Sequence, residues 1–271
     1  MQAGETRFCL EAKCRLFLSI ACPGKLLNVM ADRSPSNIYS QRWFESFHLC
    51  IPDARTELEV GLICAFAPLP GFSRIADVCC GAGRHSRVLA ERGYLVTGID
   101  RDPGIVAKAR ELGGGPSYIQ GDLRHYTPDP EEYDMIVIMG QSYGHFDSVT
   151  NAAVLQRLST GLRDQGRILL DLWNPEFFEA HQGTREMPGM GGVVLETKRV
   201  EDGRLFVHLD YPEGGGEDFE WQLFALEDMS AMAEPLGLSV IACCTDFNGC
   251  VAPCDTKPRI QFVLERASPD C

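Results

Sequence analysis

A chain of 271 residues with 45% hydrophobic and 23% charged side chains can close a core without covalent staples. That excludes wholesale disorder and a disulfide-built miniature fold. Its formal net charge of -13 and pI near 4.9 speak against nucleic acid or an acidic membrane surface as partner, because both are held by clustered Lys and Arg.

Residues 1–35 read as a poorly structured extension. The apolar run Leu16–Cys22 is shorter than a signal h-region of about 7–15 residues, and Met30 is an alternative start. No run reaches transmembrane length. From residue 36 to 271 the pattern is that of one domain. Its first part, residues 36–70, is helical: Ile38, Tyr39, Trp43, Phe44 and Phe47 recur at helical spacing, and Thr56–Phe66 forms a second amphipathic helix. Pro68-Leu69-Pro70-Gly71 then breaks the chain.

Strand-length apolar runs next alternate with helices. Arg74–Val78, Tyr94–Ile99, Ser117–Gln120, Tyr133–Met139 and Arg167–Trp173 read as strands. Arg84–Arg92, Pro103–Leu112 and a helix from Asp147 or Ser148 to Arg163 lie among them. Tyr133–Met139 is apolar nearly throughout, as a strand covered on both faces must be. Such repetition predicts a parallel sheet with right-handed crossovers. Within residues 175–225 the character changes. Val193–Arg199, Arg204–Tyr211 and Asp218–Phe224, separated by Glu201-Asp202-Gly203 and Pro212-Glu213-Gly214-Gly215-Gly216, predict an inserted antiparallel meander. A helix from Leu226 to Leu236, ending at Gly237, precedes two last strands, Leu238–Asp246 and Arg259–Arg266.

The cysteines include the adjacent pairs Cys79–Cys80 and Cys243–Cys244 in or beside apolar runs, which read as buried thiols of a reducing, cytoplasmic compartment. Cys250-Val-Ala-Pro-Cys254 has ligand-like spacing but lacks a second pair, so no metal is expected.

The chemistry gathers after the first strand. Cys80-Gly81-Ala82-Gly83 joins a buried strand to a helix, and its glycines let the backbone turn sharply and approach a ligand. Asp77 stands near that strand's end, and Asp100 closes the second strand, where a carboxylate can take both hydroxyls of a ribose. All meet at the carboxyl ends of adjacent parallel strands. A nicotinamide-dependent oxidoreductase is the rival. Its G-x-G-x-x-G/A fingerprint fails at Ser86 and does not ask for Asp77.

Asp-Val-Cys-Cys-Gly-Ala-Gly-Arg-His-Ser from Asp77, with Gly-Tyr-Leu-Val-Thr-Gly-Ile-Asp ending at Asp100, resembles motifs I and II of class I methyltransferases that use S-adenosylmethionine, of the small-molecule, methyltransferase-domain-25 type. Gln120-Gly121-Asp122-Leu123, Tyr133–Met139 and Gly166–Leu170 are similar to later stations of that family. Tyr39-Ser-Gln-Arg-Trp43-Phe44 resembles its N-terminal lid. The resemblance implies a Rossmann-like, seven-stranded, mostly parallel sheet of order 3-2-1-4-5-7-6 with the last strand antiparallel. Helices cover both faces, and the meander caps the acceptor pocket.

By the same resemblance, Gly81, Gly83, Cys79 and Asp77 hold the methionine end of the donor, and Asp100 with Arg101 the ribose. Asp122 and Leu123 hold the adenine, Met139, Gly140 and Gln141 flank the sulfonium, and Tyr39 closes from the lid. Candidate bases at the open end of the sheet are His145, Tyr143 and Asp171. Trp43, Phe47, His48, Phe146, Trp173 and Asn174 are candidates for the acceptor pocket. His85, in the first turn of a helix, reads as a loop brace.

The expected reaction is methylation of a small molecule at N, O or C, with a homodimer left open. An RNA or protein methyltransferase, or an inactive binding subunit of the same fold, is the alternative. The Asn/Asp-Pro-Pro-aromatic motif of adenine N-methylation is replaced here by Gly140-Gln141-Ser142-Tyr143.

Overall fold

The computed structural model describes residues 37, 39–43, 46–47, 51–189 and 191–267. The expectations for residues 1–36, Ile38, Phe44 and His48 fall outside them. After a single turn, α1 (Gln41–Trp43), comes α2 (Asp53–Phe66). The chain then runs β1 (Arg74–Val78), α3 (Arg84–Glu91), β2 (Leu95–Asp100), α4 (Pro103–Leu112), β3 (Ser117–Gln120), β4 (Tyr133–Ile138), α5 (Ser148–Thr160) and β5 (Leu162–Trp173). It continues through α6 (Pro175–Ala180), the meander β6 (Gly183–Gly189), β7 (Gly192–Glu201), β8 (Arg204–Asp210) and β9 (Gly216–Gln222), then α7 (Leu226–Ala233), β10 (Leu238–Cys244) and β11 (Arg259–Arg266). No helix among the described residues is long and apolar enough to cross a membrane.

The main sheet has the order β10-β11-β5-β4-β1-β2-β3, the topology expected from the family. β1 to β5 pair in parallel, and β11 runs antiparallel to both β5 and β10. β4 is buried along its whole length. Its alternate residues serve opposite faces: Ile136 and Ile138 enter one core with Val154, Leu158 and Met229, while Met135 and Val137 enter the other with Val60, Ile63 and Leu89. Each such Ile or Val contributes about 1.5–3 kcal/mol by leaving water. The continuous apolar run is thus the mark of a two-faced central strand. β1 stands between β2 and β4, so the chain changes direction across the sheet beside it. A crevice opens at the carboxyl ends of the strands there.

Three boundaries differ from expectation. The helix expected to reach Arg163 stops at Thr160, because Gly161 packs where a Cβ would lie 2.2 Å from Pro128, and Leu162 already pairs with Tyr133. The helix before Gly237 ends as a 3₁₀ turn over Glu234–Leu236, where Pro235 removes a backbone donor. The meander has four strands, not three. Its first, β6, carries Pro188 and glycines at both ends, and as the edge of the sheet it tolerates the missing amide.

Candidate functional site

The β1–α3 loop is shaped by backbone conformation more than by side chains. Cys79 and Gly81 adopt positive φ of 62° and 55°. A Cβ added to Gly81 would meet nothing within 4 Å, so the space beside it is open. Gly83 is a glycine for a different reason: a Cβ there would lie 2.2 Å from the Tyr118 hydroxyl. Asp77 is 1% exposed and accepts a hydrogen bond from Ser86 Oγ at 2.5 Å. Burial pushes its carboxyl above the usual range, against the pull of His85 and Ser86. Asp77 and Gly83 shape the loop from behind and do not line the cavity it borders.

At the end of β2, Asp100 Oδ2 accepts the Gly81 amide at 2.9 Å and Oδ1 the Asp102 amide at 3.0 Å, which ties the first loop to the second. Arg101 donates to the Asn37 carbonyl at 3.0 Å. Asn37 in turn exchanges hydrogen bonds with the backbone of Glu220 in β9, so the lid segment is fixed to sheet and meander together. Asp122 accepts from the Arg124 guanidinium at 2.7 Å, and that bond holds its carboxyl below the usual range. Leu123 is buried beside it.

After β4, Gly140 and Gln141 turn with positive φ of 68° and 59°. Asp171 holds that turn: it accepts the Gly140 amide at 2.9 Å and Gln141 Nε2 at 2.8 Å. Arg259 and Gln261 donate to the same carboxylate. Fully buried and surrounded by donors, Asp171 does not line the cavity and has no lone pair turned toward an acceptor. Tyr143 is also turned away; its hydroxyl donates to the Asn151 carbonyl at 2.8 Å. His145 does face the cavity, with Nε2 3.2 Å from the Tyr39 hydroxyl. Burial, with the Arg101 charge, pushes its imidazole down to about 3, so the ring is neutral at physiological pH. Burial pushes the Tyr39 hydroxyl up.

The acceptor candidates divide in the same way. Trp43, Phe47, Phe146 and Trp173 line the cavity. Asn174 instead caps α6 and donates to the carbonyls of Cys254 and Lys257, both at 2.8 Å; it is a loop anchor.

Several residues were not anticipated. Glu59 of α2 is completely buried and pairs with Arg55 at 2.9 Å, Arg84 at 2.5 Å, His85 at 2.7 Å and Arg259 at 3.3 Å. Burial pushes its carboxyl up, but the bond and charge of His85 with the charges of Arg84 and Arg259 outweigh that and hold it far below the usual range. The loop-brace reading of His85 fits this contact. The meander supplies Phe219 and Trp221: Phe219 stacks on Tyr39 with ring centroids 5.1 Å apart, and Trp221 lies 5.6 Å from His145. A Phe-x-Trp alternation in β9 was the signal available for both.

These groups surround one cavity of about 770 Å³, within the range of small-molecule sites. Its floor is the donor-type constellation from Cys79 to Gln141, and its roof is the inward face of the meander.

Residues 75–166 match a family model described as a methyltransferase domain. Over 153 residues the chain is 30% identical to glycine/sarcosine N-methyltransferase of Halorhodospira halochloris, covering 53% of this chain and 57% of that protein. Over 151 residues it is 26% identical to trans-aconitate 2-methyltransferase of Paracidovorax citrulli, covering 54% and 55%. The chain thus spans little more than half the length of these relatives. Among solved structures, an S-adenosylmethionine-dependent methyltransferase from Clostridium acetobutylicum has the same fold, with a TM-score of 0.68 at 14% identity over 83% of this chain and 96% of that one. The S-adenosylmethionine-bound amino pentose methyltransferase CalS10 from Micromonospora echinaspora superposes with a TM-score of 0.60 at 20% identity, over 79% and 91%.

Proposed function

We propose that the chain, whose residues 75–166 match a methyltransferase domain and whose fold is that of an S-adenosylmethionine-dependent methyltransferase, moves the methyl group of S-adenosylmethionine to an N, O or C nucleophile of a small molecule held beneath the meander. The observation that carries this reading is a cavity whose floor is the Cys79–Gly81, Asp100 and Asp122 constellation and whose roof is aromatic. A roofed cavity of this size suits a small acceptor better than a polymer.

The residues present fit such a donor. The open space at Gly81 admits a chain close to the backbone. Asp100 stands where ribose hydroxyls can donate, and Asp122 with Leu123 offers an acceptor beside an apolar wall. The bound sulfonium supplies a methyl group already activated for displacement, so the protein's task is alignment and exclusion of water.

Asp171 contributes by fixing the Gly140–Gln141 turn that borders the reacting centre. An imidazole pushed down to about 3 by burial is a weak base toward an ammonium or hydroxyl proton at neutral pH. His145 and Tyr39 are therefore assigned to orienting the acceptor, which reacts as its free nucleophile.

Titration calorimetry with S-adenosylhomocysteine tests the donor site. Saturable binding that Asp100→Ala weakens by at least about tenfold is expected, the worth of one hydrogen bond to a charged group. Folded protein that gives no binding, or an Asp100→Ala chain with unchanged affinity, refutes it.

A further inference from the structure

The roof of the cavity is polarised from one edge to the other. Strand register places Phe219 opposite Val207 and Val207 opposite Lys198, so these three form one row on the face turned toward the cavity. Two strand spacings, about 10 Å, separate the ends of that row. The β9 end is aromatic and meets Tyr39, His145 and Gln141. At the other end Lys198 is 5% exposed, its Nζ 3.1 Å from Glu196 and 5.5 Å from the centre of the Phe178 ring. Arg185, opposite Glu196 in β6, pairs with the same carboxylate. One carboxylate thus serves two cations, which leaves a surplus positive charge at this end of the roof.

A second observation concerns the wall between the two ends. Trp173 meets the Phe178 ring edge-on at 5.2 Å and the Trp221 ring edge-on at 5.9 Å, and its indole Nε1 is buried with no acceptor among the described residues. A buried donor without a partner is costly, and a ligand oxygen would satisfy it.

We propose that the acceptor is an apolar, ring-bearing molecule with an anionic oxygen group, anchored by Lys198 with Trp173 Nε1 as a further donor, about two strand spacings from the methylated atom. Its ring body lies along Val207 and Phe219, and its nucleophile reaches the Tyr39–His145 end. This assignment rests on the donor reading above and specifies the acceptor that reading leaves open.

The probes are 4-hydroxycinnamate, its neutral primary amide and the cation tyramine, each titrated calorimetrically into the protein saturated with S-adenosylhomocysteine. The acid is expected to bind about tenfold tighter than the amide, as one charge-assisted bond allows, and tyramine weakest. Lys198→Met should remove the preference for the acid, and Lys198→Arg should restore it. Equal affinity for acid and amide overturns the proposal, as does no detectable binding of the acid, or a preference that Lys198→Met leaves intact. Tightest binding by tyramine, abolished by Glu196→Gln, also overturns it. Failure of S-adenosylhomocysteine to bind refutes the donor site instead. The acid and amide titrated into the free chain still read the anion preference of the roof.

Discussion

The indole of Trp221 donates to the Gln141 carbonyl at 3.0 Å, and that bond joins the meander to the turn that borders the reacting centre. Gln141 is held on its other side by Asp171, so roof, turn and the end of β5 form one connected set. Replacing Trp221 with Phe keeps a smaller aromatic ring in place but removes the donor. A stability loss of about 1–3 kcal/mol is expected from the unpaired carbonyl, together with a fall in kcat at little changed affinity for S-adenosylhomocysteine. Thermal melts and steady-state kinetics check both parts.

The two loop glycines should fail differently. Gly83→Ala puts a methyl group against the Tyr118 hydroxyl at a positive φ of 77°, and a loss of about 1–3 kcal/mol in stability is expected. Removing that hydroxyl in a Tyr118→Phe background should recover part of it. Gly81→Ala meets no atom; its positive φ of 55° costs about 1 kcal/mol, and the methyl group occupies the donor cradle, so it should cost affinity for S-adenosylhomocysteine more, and stability less, than Gly83→Ala does. Denaturant titration and calorimetry on the same variants separate the two.

Glu59 is the sole carboxylate within pairing distance of Arg55 and Arg84 among the described residues. Glu59→Gln removes the charge that the partly exposed Arg55 and Arg84 guanidiniums share, and a loss of about 1.5–3 kcal/mol at neutral pH is expected, the worth of hydrogen bonds to a charged group. Because the folded-state pKa is depressed, this stability is present above the unfolded carboxylate value of about 4.3 and lost as pH falls below it. Melting temperatures from pH 7 to pH 3 should therefore drop more steeply for the native chain than for Glu59→Gln.

His145 titrates in the opposite sense from a salt-bridged histidine. With its folded value near 3 and an unfolded value of about 6.5, the unfolded chain takes up a proton over that window while the folded chain does not. Acidification from pH 7 toward 4 therefore destabilises the fold through this residue, and His145→Gln should lessen the slope. Activity should show no ionisation of His145 near pH 6.5. A limb there that vanishes in His145→Gln would contradict the assignment to orientation.

Much of this fold was legible because its signals are local. The alternation of β4 between two cores is written as a nearly unbroken apolar run, and Pro103 announces α4 at its first turn. Asp77, Gly81 and Asp100 were visible because they fall at the ends of two consecutive strands and in the short loop after the first. The division of labour among them was not. Gly83 is shaped by Tyr118, which lies one strand beyond β2, and Asp171 reads as a base until Arg259 and Gln261 are seen to occupy it. Glu59, Lys198 and Trp221 were missed for a related reason. Lys198 is one charge in a strand that also carries Glu196 and Arg199, and only the register of β7 against β8 shows which of them point inward. Edge strand β6 was hidden by Pro188, a residue that argues against a strand everywhere except at an edge.

The chain has three tryptophans, and Trp43, Trp173 and Trp221 all border the same cavity. Its tryptophan fluorescence therefore comes from the walls of the site. A molecule that enters changes the surroundings of these indoles, so an unlabelled sample excited at the tryptophan band reports its own occupancy in a plate of candidate acceptors.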